Sequence, residues 1–186
     1  NPLLYKGHKF HMRLYLVIDN VAGIPGAYIY KSGNMFVSNK KYDAANDDGA
    51  IHNIHVASGA EIKQFPKFFP EPRRLPKFWK DLAELFMSIK DHLESTPYEE
   101  SKNGFNIFGF DVMLTDNYVP KLLEINPQPR MKSLSPQPIA DVFIDTLIET
   151  TLSKEYGLPP GFVKKGDFID LHSSTGDFVN LNAAGG

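Results

Sequence analysis

Basic and apolar residues alternate near the start of the chain. Lys9, His11 and Arg13 project to one side of a strand, and Phe10, Met12 and Leu14 project to the other. The strand then becomes wholly apolar in "LYLVI", as expected where a strand enters a core. After the Gly/Pro break in "VAGIPG", the run "AYIYKSGNMFVS" predicts a hairpin that turns at Ser32 and Gly33. The first forty residues therefore predict an antiparallel sheet.

Residues 39–76 have no sustained periodicity. The first part is rich in Asn, Asp and Gly, and "FPKFFPEPRRLP" places four prolines close together. Proline lacks the N–H that a central strand or a helix interior requires. We therefore predict a long, extended loop here, and loops of this length are commonly functional or mobile.

Apolar residues spaced by three and four positions predict two helices. The first covers "KFWKDLAELFMSIKDHLE", residues 77–94, and the second covers "QPIADVFIDTLIETTLSK", residues 137–154. Residues 157–186 contain six glycines and little periodicity, which predicts a peripheral or partly disordered tail. The predicted organisation is one α+β domain over residues 1–156, followed by the tail at 157–186.

Composition narrows the class of protein. The chain has 186 residues, 42% of them hydrophobic, which is enough for one globular core. The 20 basic and 22 acidic side chains give a net charge of -2, so nucleic acid is not a favoured partner. The absence of cysteine excludes disulfides and thiol catalysis and suits a cytoplasmic protein. No apolar run approaches the ~20 residues that span a bilayer, so no membrane association is expected. The chain opens at Asn1 rather than Met, which suggests a processed or truncated product.

Acidic residues interrupt two apolar runs in "FGFDVMLTDNYVPKLLEINPQP", residues 108–129. If Asp116 and Asn117 form the centre of a turn, Asp111 lies opposite Leu122 and Gly109 lies opposite Glu124. Side chains then divide between two faces: Asp111, Leu122, Glu124 and Asn126 on one, and Phe110, Val112, Leu123 and Ile125 on the other. Asp111 and Glu124 become diagonal neighbours with Cβ atoms roughly 7 Å apart. This spacing suits a Mg²⁺ ion, which prefers oxygen ligands. The alternative is that both acids are solvated residues on a half-exposed sheet.

The motifs "KFHMR" and "LLEINPQP", with Glu124 thirteen residues after Asp111, resemble the tubulin tyrosine ligase family. The similarity covers about residues 7–152 and corresponds to the C-terminal half of the family's ATP-grasp catalytic region. It implies an α+β fold in which a mainly antiparallel sheet packs with two helices. It also implies that the N-terminal ATP-grasp lobe is missing from these residues and is supplied by an upstream segment or a partner chain.

The resemblance implies roles for individual residues. Asp111, Glu124 and Asn126 match the family's magnesium ligands. Arg13 matches an arginine that reaches the ATP phosphates and the acyl-phosphate intermediate, and Lys9 matches a basic residue of the same strand, so both are expected to be catalytic and to bind the nucleotide. Three further positions correspond to the family's nucleotide site only in part: His11 replaces an acid, Lys31 lies near a family arginine, and His55 in "HVAS" matches the first residue of His-Leu-Thr-Asn.

The implied activity is an ATP- and Mg²⁺-dependent ligation of a peptide or protein carboxylate to an amino acid. The alternative implied by His11 and the altered loop is a catalytically inactive structural or assembly protein with the same fold.

Two other clusters have competing interpretations. His52 and His55 lie near Asp47 and Asp48, but polar loop histidines are more often solvated than bound to metal. A second cluster could bind an acidic peptide or, less plausibly, single-stranded nucleic acid. The other interpretation is a solvated basic loop whose aromatic rings dock on the core. Its members are Lys63, Lys67, Arg73, Arg74, Lys77 and Lys80, with Phe65, Phe68 and Phe69 between them. Trp79 is most simply a core residue.

Overall fold

The computed structural model describes residues 1–21, 24–46, 48–52, 54, 59–89, 104–129, 143, 147 and 168–170. Within these ranges the strands are β1 (Leu4–Tyr5), β2 (His8–Val21), β3 (Ile24–Lys41), β4 (Glu61–Phe65), β5 (Gly104–Leu114), β6 (Pro120–Asn126) and β7 (Phe168–Asp170). The helices are α1 (Gly49–His52) and α2 (Leu75–Met87), and a 3₁₀ turn at Pro72–Arg74 leads into α2.

The strands form one antiparallel sheet with β2 at its centre. The strand order is β4-β3-β2-β5-β6, with β1 added to the start of β2 and β7 added to β3. Each described pairing is antiparallel. The predicted antiparallel sheet is confirmed, and it places β5 and β6 beside the basic start of β2.

The predicted hairpin turn at Ser32 and Gly33 is wrong. β3 runs through these residues, and the pairing of β2 with β3 extends to Val21 and Ile24, where the chain reverses. The ladder is irregular between Arg13 and Tyr15, opposite Gly33. A Cβ atom on Gly33 would overlap the carbonyl oxygen of Arg13, so glycine allows the two backbones to approach here. The Gly in the sequence marked a close approach within a strand, not a turn.

The predicted structureless segment at 39–76 contains three short elements, which are α1, β4 and the 3₁₀ turn at Pro72–Arg74. The prolines obey the expected restriction, because β4 lies at the edge of the sheet and ends at Phe65, immediately before Pro66. A short edge strand with one exposed end gives too few alternating positions to predict from sequence.

The first predicted helix is confirmed as α2 from Leu75 to Met87, and residues 90–94 lie outside the described residues. It packs one apolar face against the sheet, where the Phe86 and Phe110 rings lie 4.2 Å apart. Its buried residues are Phe78, Trp79, Leu82, Ala83 and Phe86. This packing confirms Trp79 as part of the core, together with Phe10, Met12 and Leu14 of β2.

The face of the sheet opposite α2 changes from charged to apolar along β2. Beyond Arg13, this face continues with Tyr15 and Val17, which pack against Phe143 and Leu147. Phe143 and Leu147 are the described positions of the second predicted helix, and both are helical and buried. The charged start of β2 is therefore adjacent to an apolar cluster on the same face.

Three residues of the predicted tail, Phe168–Asp170, form β7 and pair with Tyr28–Tyr30 of β3. The rest of 157–186 lies outside the described residues. None of the helices seen in the described ranges has both the length and the apolar character needed to cross a bilayer.

Candidate metal and phosphate site

The register of β5 and β6 places Asp111 directly opposite Glu124 and Gly109 opposite Asn126. The predicted register, with Asp111 opposite Leu122, is therefore wrong. The turn between the strands has five residues, Thr115–Val119, and it pairs Val112 with Leu122. The ladder then shifts by one residue between Val112 and Asp111, which makes Leu123 the extra residue of a bulge.

The two irregularities cancel each other. An odd-numbered turn inverts the faces that a two-residue turn would give, and the bulge inverts them again. Leu122 consequently packs against the core instead of sharing a face with Asp111, and Leu123 is 50% exposed. Glu124 still emerges on the same side as Asp111. The two acids therefore lie on one face of the sheet, as predicted, but they are directly opposite each other and not diagonal neighbours.

Arg13 of β2 connects these two acids. Arg13 is the register partner of Asp111. Its Nε donates to Asp111 Oδ1, and its Nη2 donates to Asp111 Oδ2 at 2.7 Å. The same Nη2 lies 3.5 Å from Glu124 Oε1. The hydrogen bond to Asp111 raises the pKa of Arg13 above its ordinary value despite partial burial. The Asp111 side chain is 7% exposed, whereas that of Glu124 is 59% exposed, so the site runs from the core to solvent.

His11 lies beside this ion pair. Its Nε2 is 3.8 Å from Asp111 Oδ2, and its ring stacks on Phe36 of β3 with a centroid distance of 5.1 Å. The stacking follows from the register, because His11 and Phe36 are paired across β2 and β3. The imidazole is therefore held in place at the side of Asp111.

Lys9 completes the basic row on β2. Its Nζ donates to the backbone carbonyl oxygen of His52 at 3.0 Å. Burial lowers the pKa of Lys9 below its ordinary value. The amine is thus partly removed from water and directed towards the loop that carries α1.

These groups surround a cavity of about 160 Å³. Its lining residues are Lys9, His11, His52, Ile54, Asp111, Met113, Leu123 and Glu124. The sequence favoured a solvated His52, placed Leu123 on the face opposite Asp111, and did not single out Ile54 or Met113. Their positions depend on how α1 and the β6 bulge pack beside β2 and β5, and local sequence does not encode that packing.

Asn126 lies at the end of β6, opposite Gly109. Its Oδ1 accepts a hydrogen bond from the Gln128 backbone N–H at 2.9 Å, and Asn126 is not part of the cavity lining. A Cβ atom on Gly109 would lie 2.8 Å from Pro129 Cβ and 3.3 Å from Arg13 Cδ. Gly109 therefore makes room for Pro129 and for the aliphatic part of Arg13.

Of the remaining predicted nucleotide-site residues, Lys31 is described and is not assembled with this cavity. Lys31 lies in β3, is half-buried and does not line it. His55 and Asp47 lie outside the described residues, as does the whole of "HVAS", residues 55–58. Two residues of the predicted His/Asp cluster are described. His52 forms a hydrogen bond through Nε2 with the Asn46 carbonyl oxygen at 2.6 Å, and Asp48 forms an ion pair with Lys40.

The basic cluster of residues 63–80 is spread over β4, the 3₁₀ turn and α2, and its aromatic rings dock on the core. Phe65 and Phe69 are buried, and Phe68 packs against the same core. Four of the basic residues have acidic neighbours, in the pairs Lys63–Glu61, Arg74–Glu71, Lys77–Asp81 and Lys80–Glu84. This local neutralisation reduces the net attraction of the cluster for an acidic peptide.

The chemistry of the donor set fits a hard cation. The described residues contain no cluster of three or more His, Asp or Glu side chains with metal-ligand geometry. They do contain two opposed carboxylates, with an amide at the next register position on the same side. A carboxylate has about four lone-pair sites, so Asp111 can bind Arg13 and still offer an oxygen to a cation. Oxygen ligands of this kind suit Mg²⁺, which retains several waters.

Several known proteins are similar to this chain in sequence. A sequence model of the Tubulin-tyrosine ligase family matches residues 1–63 and 58–165. A probable tubulin polyglutamylase TTLL9 of Rattus norvegicus is 24% identical over 172 residues, covering 82% of this chain and 36% of that protein. A probable tubulin polyglutamylase TTLL2 of Homo sapiens is 27% identical over 152 residues, covering 70% and 25%. The chain thus spans about a third or less of the length of these curated relatives.

A solved structure shows the same fold. The C-terminal domain of K. lactis Pby1, an ATP-grasp enzyme that interacts with the mRNA decapping enzyme Dcp2, superimposes with a TM-score of 0.68 at 20% identity. The match covers 92% of this chain and 50% of that structure. The antiparallel sheet described above is therefore part of an ATP-grasp fold. Together with the family match over most of its length, this shows that the chain belongs to the tubulin-tyrosine ligase family.

Proposed function

We propose that this chain supplies the metal- and phosphate-binding half of an ATP- and Mg²⁺-dependent carboxylate–amine ligase that modifies a protein. One observation carries this function. Asp111 and Glu124 face each other across β5 and β6, and Arg13 reaches both of them beside a cavity that Lys9 and His11 also line.

Asp111, Glu124 and Asn126 would hold Mg²⁺. When bound, the ion supplies positive charge to the ATP phosphates, the main requirement of phosphoryl transfer. Glu124 is the exposed ligand and Asp111 the buried one, so Glu124 lies towards the solvent side from which a nucleotide would enter.

Arg13 and Lys9 would act on the transferred phosphoryl group. Their strand places both cations on one face, and Asp111 fixes the guanidinium of Arg13 with two hydrogen bonds. Donors fixed in this way stabilise developing negative charge without having to reorganise. His11 and Lys31 are secondary candidates for nucleotide contact, and His55 is a candidate on sequence alone.

The proposed reaction has two steps. A carboxylate oxygen of the acceptor attacks the γ-phosphorus of ATP, the bond from that phosphorus to the bridging oxygen breaks, and ADP leaves. The amine of the incoming amino acid then attacks the acyl carbon. Phosphate departs with the acyl C–O bond electrons, the amine loses a proton, and an amide remains. The names of the polyglutamylase relatives support a protein carboxylate as the acceptor and an amino acid as the donor.

The first test is Glu124→Gln in the full-length protein. The substitution removes charge but not shape, so we expect Mg²⁺-dependent ATP turnover to fall by at least about 100-fold with little change in thermal stability. Calorimetric titration with Mg²⁺ and a nonhydrolysable ATP analogue should show the matching loss of affinity. Glu84→Gln, an exposed acid of α2, is the control and should retain both. Turnover in Glu124→Gln equal to that of the wild type would remove Glu124 from the metal site.

A second candidate function is a catalytically inactive structural or assembly protein. The observation that favours it is the neighbourhood of Asp111, where His11 stacks on Phe36 in place of the acid that the family carries. A folded full-length protein that gives no titration heat with Mg²⁺ and the ATP analogue would support this function and contradict the ligase.

A further inference from the structure

A second cavity adjoins the candidate metal site. Its volume is about 330 Å³, roughly twice that of the first, and the two share Lys9 and Met113 in their walls. Besides the first two residues of the chain, it is lined by Lys9, Tyr42, Met113, Leu114, Thr115 and Lys121. None of the roles proposed above uses this space.

The two cavities differ in charge. The first contains the carboxylates of Asp111 and Glu124 together with Lys9 and His11. The second has two lysines, and none of its described lining residues is acidic. Because opposite charge raises the local concentration of an ionic ligand, the first cavity favours a cation and the second favours an anion.

The position of Lys121 follows from the sheet. Lys121 is paired with Met113 across β5 and β6, which puts it beside the second cavity and two residues before the Leu123 bulge. Its side chain is exposed, and within the described part of the chain it has no acidic or hydrogen-bonding partner. An unpaired ammonium at a cavity rim can pair with an anion without first breaking an ion pair.

Two hydroxyl groups add hydrogen-bonding capacity. Thr115 Oγ1 accepts the Val119 backbone N–H at 3.1 Å, which leaves its own O–H as a donor. Tyr42 is half-buried, and its ring meets the ring of His52 edge to face at 6.0 Å. Tyr42 thereby links the second cavity to a residue that lines the first. Met113, which is half-buried, provides apolar surface for an aliphatic chain.

We propose that the second cavity binds the carboxylate of a ligation substrate, with Lys121 as its recognition residue and Lys9 between this carboxylate and the phosphoryl site. The assignment rests on the proposed ligase function. The anion could belong to an acidic side chain of the protein acceptor or to the incoming amino acid. The two sources present the same carboxylate chemistry, and separate titrations distinguish them.

The test is calorimetric titration of the full-length protein, with Mg²⁺ and a nonhydrolysable ATP analogue present, using two probes. One probe is a peptide of several glutamates, and the other is free L-glutamate. Lys121→Gln should weaken binding of at least one probe by about tenfold, the size expected for one charge-assisted hydrogen bond. Lys80→Gln, an exposed lysine of α2 outside both cavities, should bind both probes as the wild type does. A loss confined to the peptide assigns the site to the acceptor, and a loss confined to glutamate assigns it to the donor.

Two results would overturn the assignment. One is equal affinity of wild type and Lys121→Gln for both probes. The other is equal wild-type affinity for the glutamate peptide and for its glutamine counterpart, because an anion site must discriminate between them.

Failure of the ligase function has a separate signature. In that case the wild type would not bind the ATP analogue with Mg²⁺, whereas the effect of Lys121→Gln on the carboxylate probes would still decide the second cavity. Lys121→Gln should also leave the affinity for the ATP analogue unchanged, since Lys121 lies outside the first cavity.

Discussion

Gly33 shows how one residue controls the position of Arg13. A side chain at Gly33 would overlap the Arg13 carbonyl oxygen and come within 3.0 Å of Leu14 Cδ2. The backbone oxygen cannot move away without disturbing the β2–β3 ladder, where the register already shifts.

We therefore predict that Gly33→Ala lowers the free energy of unfolding by about 2 kcal/mol. Urea denaturation measures this change. Gly49→Ala is the matched control, because nothing lies within 4 Å of a Cβ atom there. Gly49→Ala should change the free energy of unfolding by no more than about 0.5 kcal/mol. Equal stability of the two variants would show that the close approach at Gly33 is absent.

Individual residues also show what sequence could anticipate. Alternation placed Lys9 and Arg13 on one side of a strand, and both face the candidate site. The turn predicted from the Ser-Gly pair failed at Gly33, because a glycine in an apolar run can mark either a turn or a close backbone approach. The contact with Arg13 that distinguishes them joins residues twenty positions apart.

At the scale of elements, the five-residue turn between β5 and β6 sets the register of the acids. Tyr118 holds this turn with a positive φ of 65°, a conformation that non-glycine residues seldom adopt. Its ring lies under the Arg74 guanidinium at 4.5 Å and 6.2 Å from the Phe69 ring. Tyr118 thus attaches the turn to the segment that leads into α2.

This attachment predicts a pH dependence of stability. Burial, reinforced by a hydrogen bond to Glu71, raises the pKa of Tyr118 above its ordinary value of 10.0. The folded state therefore keeps the phenolic proton after the unfolded state has lost it. The corresponding stabilisation is fully present below pH 10 and is lost as the pH rises through the pKa of the folded state.

Tyr118→Phe should abolish the loss of stability above pH 10 that this phenol causes. At pH 7 it should lower the free energy of unfolding by about 1 kcal/mol, because the hydrogen bond to Glu71 is lost. Denaturant unfolding at pH 7 and pH 10.5 measures both effects. Glu71→Gln keeps the partly buried phenol and should preserve part of the pH dependence. Parallel pH profiles for wild type and Tyr118→Phe would contradict the proposal that the Tyr118 phenol causes this dependence.

At the scale of the whole molecule, one core connects α2 to the sheet. Phe86 is fully buried against Phe110, and Trp79, the single tryptophan of the chain, belongs to the same cluster. Truncation of Phe86 should therefore loosen the helix and the sheet together. We predict that Phe86→Ala lowers the free energy of unfolding by about 3 to 4 kcal/mol.

The expected unfolding is cooperative, so Trp79 fluorescence and far-ultraviolet circular dichroism should give one transition in both wild type and variant. The adjacent Met87 is 43% exposed, and Met87→Ala should change stability by no more than about 0.5 kcal/mol. Separate fluorescence and dichroism transitions in the wild type would mean that α2 and the sheet do not share one core.

The net charge of the molecule does not indicate how its charged side chains are distributed between the two cavities. A net charge of -2 gives no strong long-range field. The structure nevertheless places an acidic cavity beside a basic one, with Lys9 in the wall of both. This contrast arises from the positions of Lys9 on β2 and of Asp111, Lys121 and Glu124 on β5 and β6, so composition could not reveal it.

The sequence by itself determined which residues are apolar, which strands alternate, where α2 lies, and which acids and bases are available to a site. It carried this information because side-chain periods of 2 and 3.6 are local properties of strands and helices. The tertiary structure alone decided that Asp111 meets Glu124 directly, that Arg13 joins them, and that a second cavity lies beside Lys121. A turn of five residues and a bulge at Leu123 each invert the faces of β6, and their cancellation depends on packing of Leu122 against the core, which no local pattern records.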